Sequence, residues 1–403
     1  ILAQVNNHLG ENCPDLNDPT ILQGFFNTLQ DLNQSGDILA YHDRSDGGLA
    51  AALVEMSFAG RVGITLDIKQ NASELISILF NEELGAVIQV LAEDSSEIIK
   101  RFRGAGVPAE DIGTLNNDDL ICINVQGAQV FSEPRSKLEQ AWSETSYRMA
   151  SLRDNSECAK EEFSKALLHD PGLSVGLSYD PQDEMFLPVF LSGVTPKVAI
   201  LREQGVNGQN EMAAAFNEVG FDCIDVHMTD LISDRHNLKD FQGLVACGGF
   251  SYGDVLGAGG GWANSILFNK NLKNQFGDFF HNEDVFSLGV CNGCQALSLL
   301  KPLIPGADSW PRFKRNTSEK FEARLVQVSV KDSPSIFFKG MEGAIIPIPV
   351  AHGEGRVDFS GQSPEKLPKD KSISISYVDY KGSDTEDYPS NPVSYTHLRA
   401  HET

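Results

Sequence analysis

The chain has few cysteines and no long hydrophobic stretch. Only seven of its 403 residues are cysteines, and apart from Cys291 and Cys294 they are scattered, which fits a reducing cytosol better than a disulfide framework. No apolar run approaches the roughly 20 residues that a membrane-spanning helix needs. Residues 1–10 also lack the form of a signal peptide. We therefore expect a cytoplasmic protein that does not bind a membrane.

Basic residues are scarce as well. There are 32 lysines and arginines against 56 aspartates and glutamates, which gives a formal net charge of −24. No basic stripe is visible, so we expect no nucleic-acid partner and no attraction to anionic membranes. Two nucleotide-binding motifs are missing too: the glycine-rich stretch 248–253 does not follow G-x-G-x-x-G, and no G-x-x-x-x-G-K-[ST] occurs.

Residues 1–130 are predicted to form an α+β domain. Helical periodicity covers 18–33 and 49–58. Strand-like patterns occupy 38–41, 62–68, 86–91 and 120–125. Residues 131–195 are then a charged, helix-prone connector that ends in a loop.

From residue 196 to residue 392 the apolar segments alternate as strand, helix and strand, which is typical of a parallel α/β sheet. The predicted strands are 197–201, 222–226, 244–247 and 285–290. Residues 393–403 fit no plausible element, and we interpret them as an artefact of the sequence end or the result of a truncation.

A reactive cysteine is predicted where the last of these strands ends. Cys291 follows 285–290 in a glycine-flanked turn, and a helix-compatible stretch, 295–300, comes next. A strand, a tight turn and a helix form a nucleophile elbow, and the positive end of the helix favours the thiolate. The N–H of Asn292 is then placed to stabilise an oxyanion. Cys291-x-x-Cys294 would also fit a buried pair or half of a metal site.

Ligand loops of a parallel sheet lie at the carboxyl ends of its strands. Besides the Cys291 elbow, segments 202–208 and 248–254 fit that rule. The pair Gly248-Gly249 would let backbone N–H groups converge on an oxyanion. Glycine-rich turns after strands are also common as purely structural features.

A polar turn in the first domain is a second candidate site. The sequence His42-Asp43-Arg44-Ser45-Asp46 precedes the predicted helix 49–58. A short carboxylate at such a junction can hold Mg²⁺ beside a nucleotide phosphate, and a hydroxyl two residues on can reach a phosphate oxygen. The same pattern also fits a simple turn in which Asp46 caps the helix.

Five separated segments together resemble the large, single-chain phosphoribosylformylglycinamidine synthases of purine biosynthesis. They are REQGVNG (202–208), ACGGFSYGDVLGAGGGWA (246–263), GVCNGCQ (289–295), WPRFKRNTSEKFEARL (310–325) and AHGEGR (351–356). The resemblance runs from the start to about Pro392 and corresponds to the carboxyl-terminal third of that family. It implies an α+β module similar to aminoimidazole ribonucleotide synthase, followed by a flavodoxin-like class I glutamine amidotransferase domain.

The resemblance also implies site residues and ligands. Cys291 would attack the side-chain amide of glutamine, with Asn292 and the Gly249-Phe250 turn supplying the oxyanion hole. In the first module it implies Asp43 as a magnesium ligand and Ser45 as a nucleotide contact. The ligands would be Mg²⁺, ATP, glutamine and formylglycinamide ribonucleotide, and the partners would be the preceding modules of the same enzyme.

The general base of the resembled family is not found in this sequence. The family carries it in a later Pro-His-Pro-Glu motif, whereas here Pro392 is followed by VSYTHLRAHET. His352 more readily shapes the pocket or the interface than serves as the base. We therefore expect the 403 residues to be an inactive fragment. Two alternatives stay open: a free-standing cysteine hydrolase of the same sheet architecture, and a non-catalytic binding module.

Overall fold

The computed structural model describes residues 1–10, 13–168, 170–182, 195–359 and 373–393. They form two compact units, one of Ile1–Met149 with Phe163–Pro171 and the other of Ala150–Glu162 with Gly172–Thr403. Most of the predicted tail, 394–403, lies outside the described residues. Within the described part of the chain, no helix has the length and apolar character required to cross a membrane.

The first unit contains the predicted α+β elements. Its helices are α1 (Leu2–Val5), α2 (Pro19–Ser35), α3 (Gly48–Gly60), α4 (Leu75–Phe80), α5 (Ser95–Gly104) and α6 (Arg135–Arg153), which continues past the unit boundary. Its strands are β1 (Ala40–Asp43), β2 (Gly63–Ile68), β3 (Ala86–Gln89), β4 (Gly113–Asn116), β5 (Leu120–Val125) and β6 (Ala128–Pro134). Strands β4-β2-β5-β6 form one sheet in that order, and β1 pairs antiparallel with β3.

Local chemistry explains where α2 begins and ends. The Asp18 carboxylate accepts a hydrogen bond from the Thr20 N–H at 2.9 Å, and Pro19 occupies the first helical position, where its missing N–H costs nothing. At the other end Gly36 adopts a left-handed conformation with φ 77°, which glycine tolerates best. The predicted helix 18–33 is confirmed with small shifts at its ends.

The second unit carries the remaining elements. Its helices are α7 (Ser156–Ser164), which continues past the unit boundary, α8 (Gln209–Glu218), α9 (Met228–Ile232), α10 (Gly260–Leu267), α11 (Lys270–Phe280) and α12 (Asn292–Leu299). Its strands are β7 (Lys197–Arg202), β8 (Asp222–His227), β9 (Gly243–Ala246), β10 (Phe286–Gly289), β11 (Arg312–Lys314), β12 (Glu322–Val330), β13 (Ile345–His352), β14 (Arg356–Asp358) and β15 (Ile375–Val378).

A parallel sheet organises the second unit. Its strand order is β10-β9-β7-β8, and every pairing is parallel, which is the flavodoxin-like order expected from the sequence. Strand β7 is buried on both faces: Val198 and Ile200 belong to one apolar cluster, while Ala199 and Leu201 belong to the other. Such burial requires the continuous apolar run seen in the sequence. The predicted fold class is confirmed.

An antiparallel sheet of order β13-β12-β15 lies in the same unit. Strand β12 pairs with β13 so that Glu322 lies opposite His352 and Ala323 opposite Ala351. The carboxyl end of β13 therefore reaches the Cys291 elbow, where Ala351 contacts the thiol.

Candidate active site

Cys291 lies in a strained turn between β10 and α12. Its backbone has φ 52° and ψ −112°, a combination that non-glycine residues rarely adopt and that is found at nucleophile elbows. Close packing supports the turn, because a Cβ on Gly293 would lie only 2.0 Å from the carbonyl oxygen of Ala246. The glycine thus lets the start of α12 pack directly on strand β9, and the predicted elbow is present.

The helix begins earlier than the sequence suggested. The sequence pattern marks a helix-compatible stretch only from 295, whereas α12 runs from Asn292 to Leu299, with Cys291 as its N-cap. The predicted position of Cys291 at a helix start is confirmed. The helix extends back to Asn292 because packing against the sheet overrides the poor helix propensity of asparagine and glycine. The consequence is that Cys291 directly adjoins the positive end of the helix.

Accessibility separates Cys291 from most other cysteines. Its side chain is exposed, as is that of Cys13, whereas Cys158 and Cys247 are buried. Burial raises the pKa of the Cys247 thiol to about 11 and also raises the pKa of the Cys158 thiol. The Cys291 Sγ lies 3.8 Å from the carbonyl oxygen of Ala351. Cys291 is therefore the exposed thiol at a helix start.

The glycine-rich turn after β9 is held against the loop after β7. The Asn207 N–H donates to the Gly248 oxygen and the Phe250 N–H donates to the Gly205 oxygen, each at 2.8 Å. Gly249 has φ 122°, and a Cβ there would lie 2.4 Å from the Gly205 oxygen, so only glycine fits. The Phe250 N–H already donates to the Gly205 oxygen, so it is not available to an oxyanion. Of the two predicted donors in this turn, the Gly249 N–H remains, and it has no acceptor among the described residues.

The side chain of Asn292 joins that turn to the elbow. Its oxygen accepts the Ser251 N–H at 3.2 Å. Its amide nitrogen donates to Asp254 at 3.0 Å and to the side-chain oxygen of Gln295 at 3.1 Å. Gln295 in turn donates to the carbonyl oxygen of Glu354 at 2.7 Å. Sequence reasoning missed Asp254 and Glu354, and the only signal for them was their position inside the motifs that carried the resemblance.

The Glu354 carboxyl lies in an unfavourable environment for a charge. Burial and the nearby Asp254 carboxylate raise its pKa, opposed by a hydrogen bond from the Ala258 N–H. Its Oε2 atom is buried and has no hydrogen-bond partner within the described ranges. A carboxylate placed in this way marks a candidate functional position.

His352 is fixed beside the elbow. Its Nδ1 bonds the Asn316 side-chain oxygen at 2.9 Å, and Asn316 donates to the His352 carbonyl oxygen at 2.7 Å. The histidine is buried. Among the described residues, the contact found for the Cys291 thiol is with Ala351 and not with this imidazole. These bonds agree with the interpretation that His352 shapes the pocket.

Asp43 and Ser45 lie together in the first unit. Asp43 ends strand β1, and its Oδ2 accepts a hydrogen bond from the Ser45 hydroxyl at 2.8 Å. That bond, together with His42, holds the pKa of the Asp43 carboxyl below its usual range. Both side chains are exposed, so an anionic carboxylate and a hydroxyl are available to a ligand.

The predicted capping role of Asp46 is wrong. The N-cap of α3 is Gly47, and no side chain caps the helix from that position. Instead, the Glu82 carboxylate accepts the Gly47 N–H at 2.8 Å, which lowers the pKa of Glu82. Glu82 lies in a distant turn for which the sequence pattern predicts no role. Rules that consider only neighbouring residues therefore cannot predict its bond to Gly47.

A magnesium ion would have one protein ligand here. The described residues contain no group of three or more metal-ligating side chains. Mg²⁺ is commonly held by one or two carboxylates with water and substrate phosphates supplying the other oxygens. The ionised Asp43 fits one such position.

Each of the two predicted domains matches a known protein family. Residues 195–397 match the family described as CobB/CobQ-like glutamine amidotransferase domain. Residues 1–125 match the family described as AIR synthase related protein, C-terminal domain.

Solved structures show more distant likenesses. PurLQS from Thermotoga maritima is 24% identical with a TM-score of 0.36, over 52% of this chain and 88% of that one. T. maritima PurL complexed with ATP is 17% identical with a TM-score of 0.28, over 31% of this chain and 22% of that one. A putative GMP synthase subunit from Thermoplasma acidophilum is 16% identical with a TM-score of 0.29, over 45% of this chain and 73% of that one. These likenesses are too remote to bear on function.

The amidotransferase match covers just over half of the chain, and the AIR synthase related match precedes it, in the order that the resemblance to phosphoribosylformylglycinamidine synthases implies. The chain therefore belongs to the CobB/CobQ-like glutamine amidotransferase family and is similar to the carboxyl-terminal part of those synthases.

Proposed function

We propose that this chain is the carboxyl-terminal part of an ATP-dependent ligase that converts formylglycinamide ribonucleotide, glutamine and ATP to formylglycinamidine ribonucleotide, glutamate, ADP and phosphate. Its second unit releases ammonia from glutamine, and its first unit contributes to the nucleotide site. The observation that carries the proposal is the exposed Cys291 in an elbow conformation at the start of α12. The AIR synthase related domain ahead of it is what a free-standing cysteine hydrolase would not need.

The glutaminase chemistry follows from the arrangement of the elbow. The Cys291 thiolate attacks the carboxamide carbon of glutamine and forms a tetrahedral intermediate. Its oxyanion is stabilised by the Asn292 N–H at the helix start and by the Gly249 N–H of the facing turn. When the nitrogen of the intermediate takes up a proton, its C–N bond breaks, ammonia leaves and a thioester remains. Water then hydrolyses the thioester to glutamate and restores the free Cys291 sulfur. The network through the Asn292 side chain keeps the two donors in register.

The first unit supplies groups that suit a nucleotide. Mg²⁺, when bound, would neutralise charge on the phosphates of ATP. Asp43 would hold that ion, and the Ser45 hydroxyl would contact a phosphate oxygen. In the ligase reaction the amide oxygen of formylglycinamide ribonucleotide is phosphorylated and ammonia then displaces phosphate. The rest of that site would come from preceding modules of the same enzyme, and the proposed location is the cytoplasm.

We also infer that the 403 residues alone hydrolyse glutamine very slowly. Acyl transfer needs a base within hydrogen-bond reach of the nucleophile, and His352 is engaged with Asn316. Oxyanion stabilisation without a complete triad leaves roughly 10³–10⁴-fold over water. Glutamate release should therefore be barely measurable. Robust release that is lost in His352→Ala would contradict this inference and identify His352 as the base.

The decisive test uses the intact ligase that carries these 403 residues. Cys291→Ala should abolish amidine formation from glutamine and leave amidine formation from added ammonia intact. Asp43→Asn should lower synthesis from both nitrogen sources while glutamine hydrolysis continues. If Cys291→Ala leaves glutamine-dependent synthesis unchanged, the proposed nucleophile is wrong. If Asp43→Asn changes neither synthesis nor nucleotide affinity, Asp43 belongs only to a turn.

A further inference from the structure

We propose that Glu55 is a positioning residue for the magnesium–nucleotide site of the first unit. Through His42 it fixes the backbone that carries Asp43, and through Trp142 it links that site to helix α6. This inference rests on the proposed role of Asp43 and adds to it a residue that acts without touching the ligand.

Asp43 needs support because of where it lies. It ends strand β1, and β1 pairs with β3 in a two-stranded sheet. A two-stranded sheet is only marginally stable by itself, and the Asp43 side chain is exposed. A group that binds a ligand has to be held within about 0.5 Å of its working position. Contacts other than the sheet pairing are therefore needed at the end of β1.

His42 supplies such a contact. Its Nδ1 lies 2.7 Å from the carbonyl oxygen of Asp43. Because a carbonyl oxygen only accepts hydrogen bonds, this nitrogen carries a hydrogen and donates it. The Nε2 of the same ring lies 2.9 Å from a carboxylate oxygen of Glu55, on helix α3. The imidazole is thus held at both nitrogens, and its orientation constrains the peptide group of Asp43.

The other oxygen of Glu55 contacts a different helix. It accepts the indole N–H of Trp142, on α6, at 3.2 Å. The Trp142 ring also lies against Phe58, with ring centres 5.8 Å apart, although Trp142 is 61% exposed. The Glu55 carboxylate therefore joins the end of β1 and helix α3 to helix α6.

Stability alone does not account for this arrangement. The side chains of His42 and Glu55 are 29% and 35% exposed, and ion pairs between groups of this kind contribute about 0–1 kcal/mol. Groups that orient a metal ligand have a larger effect, since their loss lowers metal affinity by about 10–100-fold. Coupling between two sites is reciprocal. A ligand that immobilises Asp43 should therefore also restrict Trp142.

The experiment measures the affinity of the intact ligase for ADP by isothermal titration calorimetry, once with Mg²⁺ and once with EDTA in its place. The variants are Asp43→Asn, Glu55→Ala, Glu55→Gln and the double variant that combines Asp43→Asn with Glu55→Ala. Glu97→Ala is the control, because it removes an exposed carboxylate from α5 in the same unit. Glu55→Asp, which keeps the charge on a shorter side chain, replaces Glu55→Ala if that variant does not fold.

Glu55→Ala should weaken ADP binding in Mg²⁺ by about tenfold, equivalent to about 1.4 kcal/mol, and should change binding in EDTA little. Glu55→Gln should retain most of the affinity, because its amide oxygen can accept from Trp142 and its amide nitrogen can donate to a neutral His42. In the Asp43→Asn background, Glu55→Ala should have an effect of less than about twofold, since the residue that Glu55 positions no longer binds the ion. Glu97→Ala should match the wild type.

The fluorescence of Trp142 gives an independent measurement. It is obtained by subtracting the emission of a matched Trp142→Phe variant from that of each protein. Saturating ADP with Mg²⁺ should shift the Trp142 emission in the wild type. The shift should be absent in Asp43→Asn and in Glu55→Ala.

Three results overturn the inference. One is a Glu55→Ala effect on ADP affinity that is equally large with and without Asp43, another is an emission shift that persists in Glu55→Ala, and the third is wild-type affinity in Glu55→Ala while Asp43→Asn loses affinity. In all three cases the proposed role of Asp43 survives. If Asp43→Asn itself binds ADP with Mg²⁺ as the wild type does, the proposed role of Asp43 fails, and the role of Glu55 fails with it.

Discussion

The backbone N–H of Ser251 donates to the side-chain oxygen of Asn292 at 3.2 Å, although the two residues are 41 positions apart. This bond joins the turn that carries Gly249 to the elbow that carries Cys291. Because Asn292 is itself the first residue of α12, a single buried side chain fixes the distance between the nucleophile and the opposite wall of its site.

Replacing Asn292 with aspartate should therefore damage both stability and reactivity. The new carboxylate cannot donate to Asp254 or Gln295 and places a like charge against Asp254 in a buried position. The free energy of unfolding should fall by about 3 kcal/mol, measured by urea titration. Ser251→Ala is the control, because the Ser251 hydroxyl has no partner in the described structure and only its backbone is used. Equal stability of the two variants would show that the Asn292 network is dispensable.

A methyl group on Gly293 should destabilise the elbow. The added Cβ would lie 2.0 Å from the Ala246 oxygen, so α12 must move away from β9. Gly293→Ala should lower the free energy of unfolding by about 2–3 kcal/mol. Gly277→Ala on α11 is the matched control, since its Cβ meets nothing within 4 Å and should stabilise the helix by about 0.5–1 kcal/mol. Similar melting temperatures for the two variants would contradict the packing described here.

Cys291 should be alkylated faster than Cys13. Both thiols are exposed, so accessibility does not separate them, and only Cys291 adjoins a helix start, which favours the thiolate. Peptide mass spectrometry after brief iodoacetamide treatment at neutral pH should find most of the label on Cys291. Equal labelling of the two residues, with the fold intact, would remove the argument for an activated thiol.

Acid should weaken an ionic cluster in the second unit. Burial opposes ionisation of Glu162, but Arg324 and Lys320, at 3.0 and 3.2 Å, hold the pKa of its carboxyl below the usual value of 4.5. A carboxyl whose pKa is lower in the folded state adds stability above its unfolded pKa and loses it as the pH falls through the folded value. The stability lost in Glu162→Gln should thus be constant at neutral pH and shrink below about pH 4.5.

The control for that measurement is Glu157→Gln on the same helix. If the difference between wild type and Glu162→Gln does not change with pH while both remain folded, the ion pairs do not contribute to stability as the geometry indicates.

Features of the fold that depend on neighbouring residues could be predicted from the sequence. The apolar run before Cys291 and the glycines around it predict the elbow, because a tight turn after a buried strand leaves the chain few other conformations. Asp18 and Gly36 likewise mark α2. These features depend on neighbours in sequence, and pattern rules describe such neighbours.

Features made by distant segments could not be predicted. At the start of α3 the hydrogen bond to the backbone comes from Glu82 and not from the predicted Asp46, because the fold brings the Glu82 carboxylate to the Gly47 N–H. Glu354 lies near Asp254 only because strand β13 ends beside the Cys291 elbow in the folded chain. The start of α12 at Asn292 depends on contact between Gly293 and β9, which outweighs local helix propensity. Each case needs tertiary contacts that one sequence does not reveal.

The central claim, that Cys291 is a thiol directed at glutamine, is tested most directly by intact-mass measurement after treatment with a glutamine-analogue chloroketone. The wild type should gain a single adduct, excess glutamine should suppress it, and Cys291→Ser should gain none under the same conditions. An adduct of equal yield in Cys291→Ser, or one that glutamine does not suppress, would contradict the claim.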